Sequence, residues 1–153
     1  MANNTPTIVE REDVLAIFQF GLELDGVVEG YFGECSGVES YHEVIEQQAV
    51  RDGHSFIMKL PGILKDGDIT LKRGITSNMQ IWEWRALAEQ GNMKVARKHC
   101  SIVMFNRNFE QIARWVFVNA WPMKVSGPDF SSSGNEFGVE EMTLTHEGFF
   151  RVQ

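Results

Sequence analysis

The sequence is short of the residues and patterns that mark catalytic, metal-binding or membrane-spanning chains. Of its 153 residues only 2 are cysteines, Cys35 and Cys100, and no Cys-x-x-Cys spacing occurs. Free thiols, buried or half-buried, are therefore expected in place of a disulfide or metal pair. The 4 histidines, His42, His54, His99 and His146, lack both i, i+4 helical spacing and the neighbouring carboxylates of a zinc site, so structural or surface roles are expected and no metal. There is no Gly-x-Ser-x-Gly elbow, no phosphate-binding glycine loop and no dinucleotide fingerprint, and Ser36-Gly37 has no base partner in the sequence. Carboxylates are plentiful, but the adjacent Glu140 and Glu141 sit on a strand and point to opposite faces, so they cannot act as an acid–base pair. No catalytic residue and no cofactor are expected.

Long apolar runs are also missing. Stretches such as Ser101-Ile102-Val103-Met104-Phe105 and Trp115-Val116-Phe117-Val118 are of strand length, far below the roughly 20 residues that span a bilayer. The opening Met1-Ala2-Asn3-Asn4-Thr5-Pro6 has no basic cluster followed by an apolar stretch, so the expectation is no signal peptide and folding in a cytoplasm. Basic residues are the scarcer charge, 14 against 21 acidic, for a net −7. That sign opposes ordinary phosphate-backbone binding, which needs a basic footprint, and suits a surface past which polyanions slide without sticking. The 11 Phe and 4 Trp, without interleaved basic residues, therefore read as core and interface packing. Lys72-Arg73 reads as a solvated or salt-bridged strand end.

What is present is β patterning. At 43% apolar and 23% charged, the chain reads as one globular domain over residues 1–153, with 1–14 an extended N-terminal segment. Residues 17–24 place Phe18, Phe20, Leu22 and Leu24 on one face, the period of a half-buried strand. Asp25-Gly26 then supplies a type I′ hairpin turn, and 27–35 returns antiparallel. Residues 39–48 stay extended, but both faces are mostly polar, so this strand needs a partner on one side and water on the other. A loop is expected at 49–53, then a strand with Phe56, Met58 and Leu60 on one face, so that 39–60 forms an extended hairpin arm. Pro61-Gly62 and Asp66-Gly67 punctuate the route to an alternating strand at 69–73 that stops at Gly74.

The single strong helix signal runs from Ser77, in capping-box spacing with Gln80, to near Gly91. Ile81, Trp84, Arg85 and Ala88 recur at helical spacing, with Trp82 and Leu87 widening the stripe. Strands follow at 101–105, 111–120 and 139–147, the last with Met142 and Leu144 on one face. A turn is expected at 106–108 and a loop at 127–135. The fold class is mainly β (α+β).

Several segments, in order along the chain, together resemble the phage tail tube family of contractile tails, R-type pyocins and contractile injection systems. They are Phe20-Gly21-Leu22-Glu23-Leu24-Asp25-Gly26, Gly33-Glu34-Cys35-Ser36-Gly37-Val38-Glu39, Leu60-Pro61-Gly62 and Ile69-Thr70-Leu71-Lys72-Arg73-Gly74. They continue through Ile81-Trp82-Glu83-Trp84, Arg97-Lys98, Ser101-Ile102-Val103 and Arg114-Trp115-Val116-Phe117-Val118-Asn119-Ala120-Trp121-Pro122. Glu136, Val139-Glu140 and Thr145-His146-Glu147-Gly148-Phe149 complete the series over nearly residues 15–150. Cys35 departs from the small or apolar residue often found there, which touches only local packing.

The resemblance implies a β-barrel or two-sheet antiparallel sandwich with one flanking helix at about 77–90, similar to the type VI secretion tube protein. It implies hexameric rings stacked into a hollow inner tube, a structural role and no enzyme. The implied partners are the chain itself, a sheath protein, baseplate and terminator or cap proteins, and tape-measure protein, DNA or toxin cargo in the lumen. The implied location is the inner tube of a phage tail or injection particle, after synthesis in the bacterial cytoplasm and without membrane insertion by this chain. Self-assembly is expected at Glu39, Tyr41, Glu43, Ile45, Gln47, Arg51, His54 and Phe56. Helix packing is expected at Ile81, Trp82, Trp84 and Leu87. The alternatives are a baseplate tube-initiator subunit of the same fold and, from another class, a monomeric small-ligand β-barrel with an apolar cavity.

Overall fold

The computed structural model describes residues 19–128 and 138–153. The expected segment 1–14, the start of the first strand at Ile17 and Phe18, most of the 127–135 loop and Glu136 lie outside the described residues. In chain order the elements begin with β1 (Gln19–Leu24), β2 (Val27–Phe32), β3 (Glu34–Ser36), β4 (Ser40–Arg51), β5 (His54–Asp66) and β6 (Ile69–Gly74). Two helices follow, α1 (Gln80–Glu89) and α2 (Met93–Ala96), and then β7 (Lys98–Phe105), β8 (Gln111–Ser126), β9 (Val139–Thr145) and β10 (Phe149–Arg151).

Asp25 and Gly26 both take positive φ, 51° and 82°, which is the type I′ turn that matches the twist of the strands it joins. The return strand is interrupted at Gly33. Before it, β2 pairs with β1; after it, β3 pairs with β6. All pairings are antiparallel, and the eight-stranded sheet runs β2-β1-β7-β8-β9-β6-β3, with β10 added along β8. The 16-residue β8 makes this possible. Its first part lies along β7, while Trp121 to Ser126 pair with β9, after a positive-φ residue at Asn119 and with a register shift between Pro122 and Lys124.

Curling at β8 brings the two halves of the sheet over one core. Leu22, Phe32 and Ile102 of one half share a buried cluster with Ile69, Leu71, Met142 and Leu144 of the other. The strand order is a path with two ends, so the barrel alternative is not what forms. The chain itself crosses between those ends at Gly33, whose N–H donates to Lys72 O at 2.9 Å, where a closed barrel needs a full staggered ladder. The second antiparallel sheet is the β4–β5 ribbon.

Helix α1 covers the core with Ile81 and Trp84, buried, and with Trp82 and Leu87, half-buried against the cluster. All four expected packing residues face inward. The start differs from the expected capping box at Ser77. Gln80 N–H donates instead to Asn78 Oδ1 at 2.9 Å, and Asn78 Nδ2 donates to Glu29 O at 2.8 Å, so Asn78 fixes the entry and the helix begins three residues later. Gly91 ends the helix as expected, with φ 76° and bonds from Gly91 N to Ala88 O and from Asn92 N to Leu87 O. That is the Schellman arrangement.

Candidate assembly surface

An arm made of β4 and β5 stands off this body. Among the described residues the two strands pair with each other and with no other strand, and no residue from 40–66 joins the buried cluster. Nearly every arm residue is exposed. The reason begins at the tip. The stretch 49–53, expected as a loop, is strand through Arg51, and Asp52-Gly53 form a two-residue turn with φ 52° and 76°. This is the chemistry of Asp25-Gly26 used a second time. It sets the register Arg51↔His54, Ala49↔Phe56, Gln47↔Met58 and Ile45↔Leu60.

Residues opposite one another in a ladder share a face. The register therefore gathers Tyr41, Glu43, Ile45, Gln47, Arg51, His54 and Phe56 on one side, joined by Met58 and Leu60. Glu39 lies just before β4 at the base. Arg51 stands 5.9 Å over the Phe56 ring, and Lys65 pairs with Glu43. That hydrogen-bonded carboxylate raises the Lys65 ammonium above its ordinary value. The opposite side carries Val44, Val50, Ile57 and Leu64. Its apolar character was hidden in the sequence because 49–53 read as a loop; the Asp-Gly dipeptide is the signal that exposes it. Pro61-Gly62 does not break the strand. Pro61 stays in register with Val44, and Gly62 and Ile63 after it form a bulge opposite Glu43, where a Cβ on Gly62 would meet Glu43 O at 2.7 Å. A proline is tolerated there because β5 has a free edge.

The arm's base is fixed. Gly37 has φ 87°, and a Cβ there would lie 1.9 Å from Asp68 O. Glu39 N donates to Gly37 O, and Gly67 N donates to Glu39 O, at 2.9 and 3.0 Å. His146, in the turn after β9, completes the joint. Gly148 N donates to its Nδ1 at 3.1 Å, so Nε2 carries the proton and donates to Gly67 O at 2.9 Å. The ring also packs edge-on against Phe117 and Phe149. This is a structural histidine.

The other polar cluster lies inside the body. Arg73 and Glu140 face each other across β6 and β9, with Arg73 Nε donating to Glu140 Oε2 at 3.2 Å. Trp82 Nε1 donates to Glu140 Oε1 at 3.0 Å, and Arg73 Nη2 donates to Asn78 O at 3.0 Å. The guanidinium lies 5.2 Å from the Phe32 ring centre. Every strong group is paired, and helix α1 is tied to the sheet. Glu141 points the other way, toward Lys72, as strand alternation requires.

Burial pushes the Cys35 thiol up to about 11 and the Cys100 thiol up to about 12, so neither is a thiolate nucleophile at neutral pH. Both are free. Among the described residues, no three His, Cys, Asp or Glu side chains gather where they could hold a metal ion, and no helix is long and apolar enough to cross a membrane. A depression of about 1080 Å³ along Tyr31, Gly33, Lys72, Ile75 and Pro128 is an open groove. The space between the sheet halves is filled by side chains.

The sequence pattern of the family described as T4-like virus tail tube protein gp19 matches residues 16–150. The fold is similar to a chain of the PVC sheath–tube complex of an extracellular contractile injection system, in the extended state. The TM-score is 0.73 at 24% identity, covering 92% of each chain. It is similar also to the tube-terminating cap of the anti-feeding prophage, with TM-score 0.71, 23% identity and 98% of each chain covered. Hcp1 from Flavobacterium johnsoniae is a more distant likeness, with TM-score 0.52 and 15% identity over 88% of this chain and 95% of that one. No curated protein sequence matches.

Proposed function

The chain belongs to the T4-like virus tail tube protein family, and from that premise we propose that it is the repeating subunit of a hollow inner tube, built as hexameric rings stacked along an axis. The role is structural, not enzymatic. The observation that carries this reading is the β4–β5 arm, an ordered ribbon with exposed apolar side chains and no support from its own body. Moving an exposed Ile, Phe or Met out of water stabilises by about 1.5–3 kcal/mol each. Tyr41, Ile45, Phe56, Met58 and Leu60 on one face are enough to hold a neighbour. Glu39, Glu43, Gln47, Arg51 and His54 supply the polar margin of that contact.

The remaining partners follow from what the related structures are. One is a sheath–tube complex, others are terminators or caps, and one is a baseplate. In the proposed particle this chain meets a sheath outside, a cap at one end and a baseplate at the other, and the lumen carries tape-measure protein, DNA or a protein toxin. The mature subunit resides in the tail or injection-particle tube after synthesis in the bacterial cytoplasm.

Negative-stain microscopy of the purified chain tests this directly. Rings or hollow tubes are expected for the full chain. Removing residues 45–55 is expected to leave the β domain folded by circular dichroism and to abolish tubes, because obligate interfaces bury on the order of 2,000 Å² or more. Normal tubes from the shortened chain would overturn the arm's role.

A further inference from the structure

His146 holds the foot of the arm with both of its ring nitrogens at once. Nε2–H donates to Gly67 O at 2.9 Å, and Nδ1 accepts from Gly148 N–H at 3.1 Å. Only the neutral ring can do both, because an imidazolium carries a hydrogen on each nitrogen and has no acceptor. The backbone that supplies the Gly148 donor is pinned. Glu147 N–H donates to Val118 O and Val118 N–H donates to Gly148 O, both at 2.9 Å, so the turn between β9 and β10 is tied to β8 on either side of that amide. The ring itself stands edge-on to Phe117 and Phe149, with centroids 5.1 and 5.8 Å away. A second proton on the ring therefore sets two N–H groups against each other where the turn is fixed and the ring is walled by aromatics.

We propose that His146 is a proton-operated catch for the arm. Neutral, it ties the β9–β10 turn to Gly67. Protonated, it leaves Gly67 O and frees the joint, so that mild acid loosens the arm's direction and, resting on the tube-subunit reading, lowers tube formation. Histidine is the side chain whose ordinary charge change falls between about pH 5 and 8. Its surroundings give the charged ring somewhere to go. Asp66 and Asp68 flank Gly67 in the chain, and the Glu39 carboxylate stands beside it, with Oε1 2.9 Å from where a Cβ on Gly67 would lie. Glu147, next to the ring in sequence, accepts from Asn119 Nδ2 at 2.6 Å, and His99 Nδ1 accepts from Asn119 N–H at 3.4 Å. β8 and β10 present Phe117 and Phe149 to the ring. An imidazolium that gives up Gly67 O thus has carboxylates at the foot of the arm to turn to.

Hydrogen exchange read by mass spectrometry reports on the joint directly. The full chain and a His146→Gln variant are compared at about pH 7.5 and about pH 5, since glutamine keeps a donor and an acceptor but takes no charge. Position 146 lies outside the peptides 37–45 and 64–70, so their intrinsic exchange is the same in both proteins at either pH. Equal protection is expected at the higher pH. At the lower one these peptides should exchange about tenfold faster in the unaltered chain, the scale of a buried group left unpaired. Sedimentation should follow, with acid reducing tubes of the unaltered chain and of a His54→Gln control but not of His146→Gln. Equal exchange in the two proteins at both pH values would overturn the catch, as would loss of the acid response in His54→Gln. An exchange difference without tubes at any pH would remove the tube reading and leave the catch standing. Should His146→Gln not fold, the unaltered chain decides alone: exchange of the joint peptides relative to β7, corrected for intrinsic rates, must rise on acidification, and a constant ratio overturns the proposal.

Discussion

Arg73 and Glu140 show how much one buried pair decides. Their side chains are 4% and 8% exposed; Arg73 donates a further hydrogen bond to Asn78 O, and Glu140 accepts one from Trp82 Nε1. Breaking such a pair on one side leaves an uncompensated charge in the core, at a cost of about 3–5 kcal/mol, whereas replacing both members by apolar residues is often nearly neutral. Arg73→Met is expected to lower the urea midpoint strongly. Arg73→Met with Glu140→Leu should recover most of the loss, and an arm-shortened, non-assembling background allows the unfolding to be measured. Part of this was legible in the sequence, since strand alternation alone separates Glu140 from Glu141 and a salt-bridged strand end was expected at Lys72-Arg73. The partner was not legible. Choosing Glu140 for Arg73 needs the β6–β9 register across 67 residues, and no local pattern carries that information.

At the scale of elements, the joint at the foot of the arm is built to hold a direction. Gly37 accepts a left-handed backbone and lets Asp68 O approach where a Cβ would sit. Gly53 at the tip has a similar φ, 76°, but nothing lies within 4 Å of its Cβ position. Gly53→Ala is therefore expected to cost about 1–2 kcal/mol from backbone conformation alone. Gly37→Ala carries that penalty and a steric one, so its thermal midpoint should fall further and tube yield should fall with it. Equal midpoints for the two variants would show that the joint is soft. The arm's existence was readable from a strand with two mostly polar faces at 39–48, a loop, and a strand with Phe56, Met58 and Leu60 on one face, but its length was not. Reading 49–53 as a loop and Pro61-Gly62 as an end placed the arm at 39–60, whereas the ladder runs from Ser40 to Asp66. The tip is a second Asp-Gly turn, and the proline sits in register on a free edge, just before a bulge at Gly62 and Ile63. The helix shows the same kind of miss, since Asn78, through side-chain bonds to Gln80 and Glu29, displaces Ser77 as the residue that starts it.

For the whole molecule, the β class was legible because buried strands alternate cleanly, as Ile69 and Leu71 or Met142 and Leu144 do. The choice between a closed barrel and an open curled sheet was not, because it depends on where β8 bends and on the break at Gly33. The topology also separates the chain in time. The arm closes across a two-residue turn, and hairpins of that kind form in about 1–10 μs. The body must instead bring residues 19–24 to 100–105 and residues 69–74 to 139–144, and such distant pairings are slow. Refolding yield of soluble subunit is therefore expected to fall as chain concentration rises, by light scattering after dilution from urea, and the arm-shortened chain should lose that dependence. On the proposed tube reading, the part of the protein that seeks neighbours can close before the part that tells it where they belong, so a newly made chain passes through a moment when it is adhesive without yet being a building block.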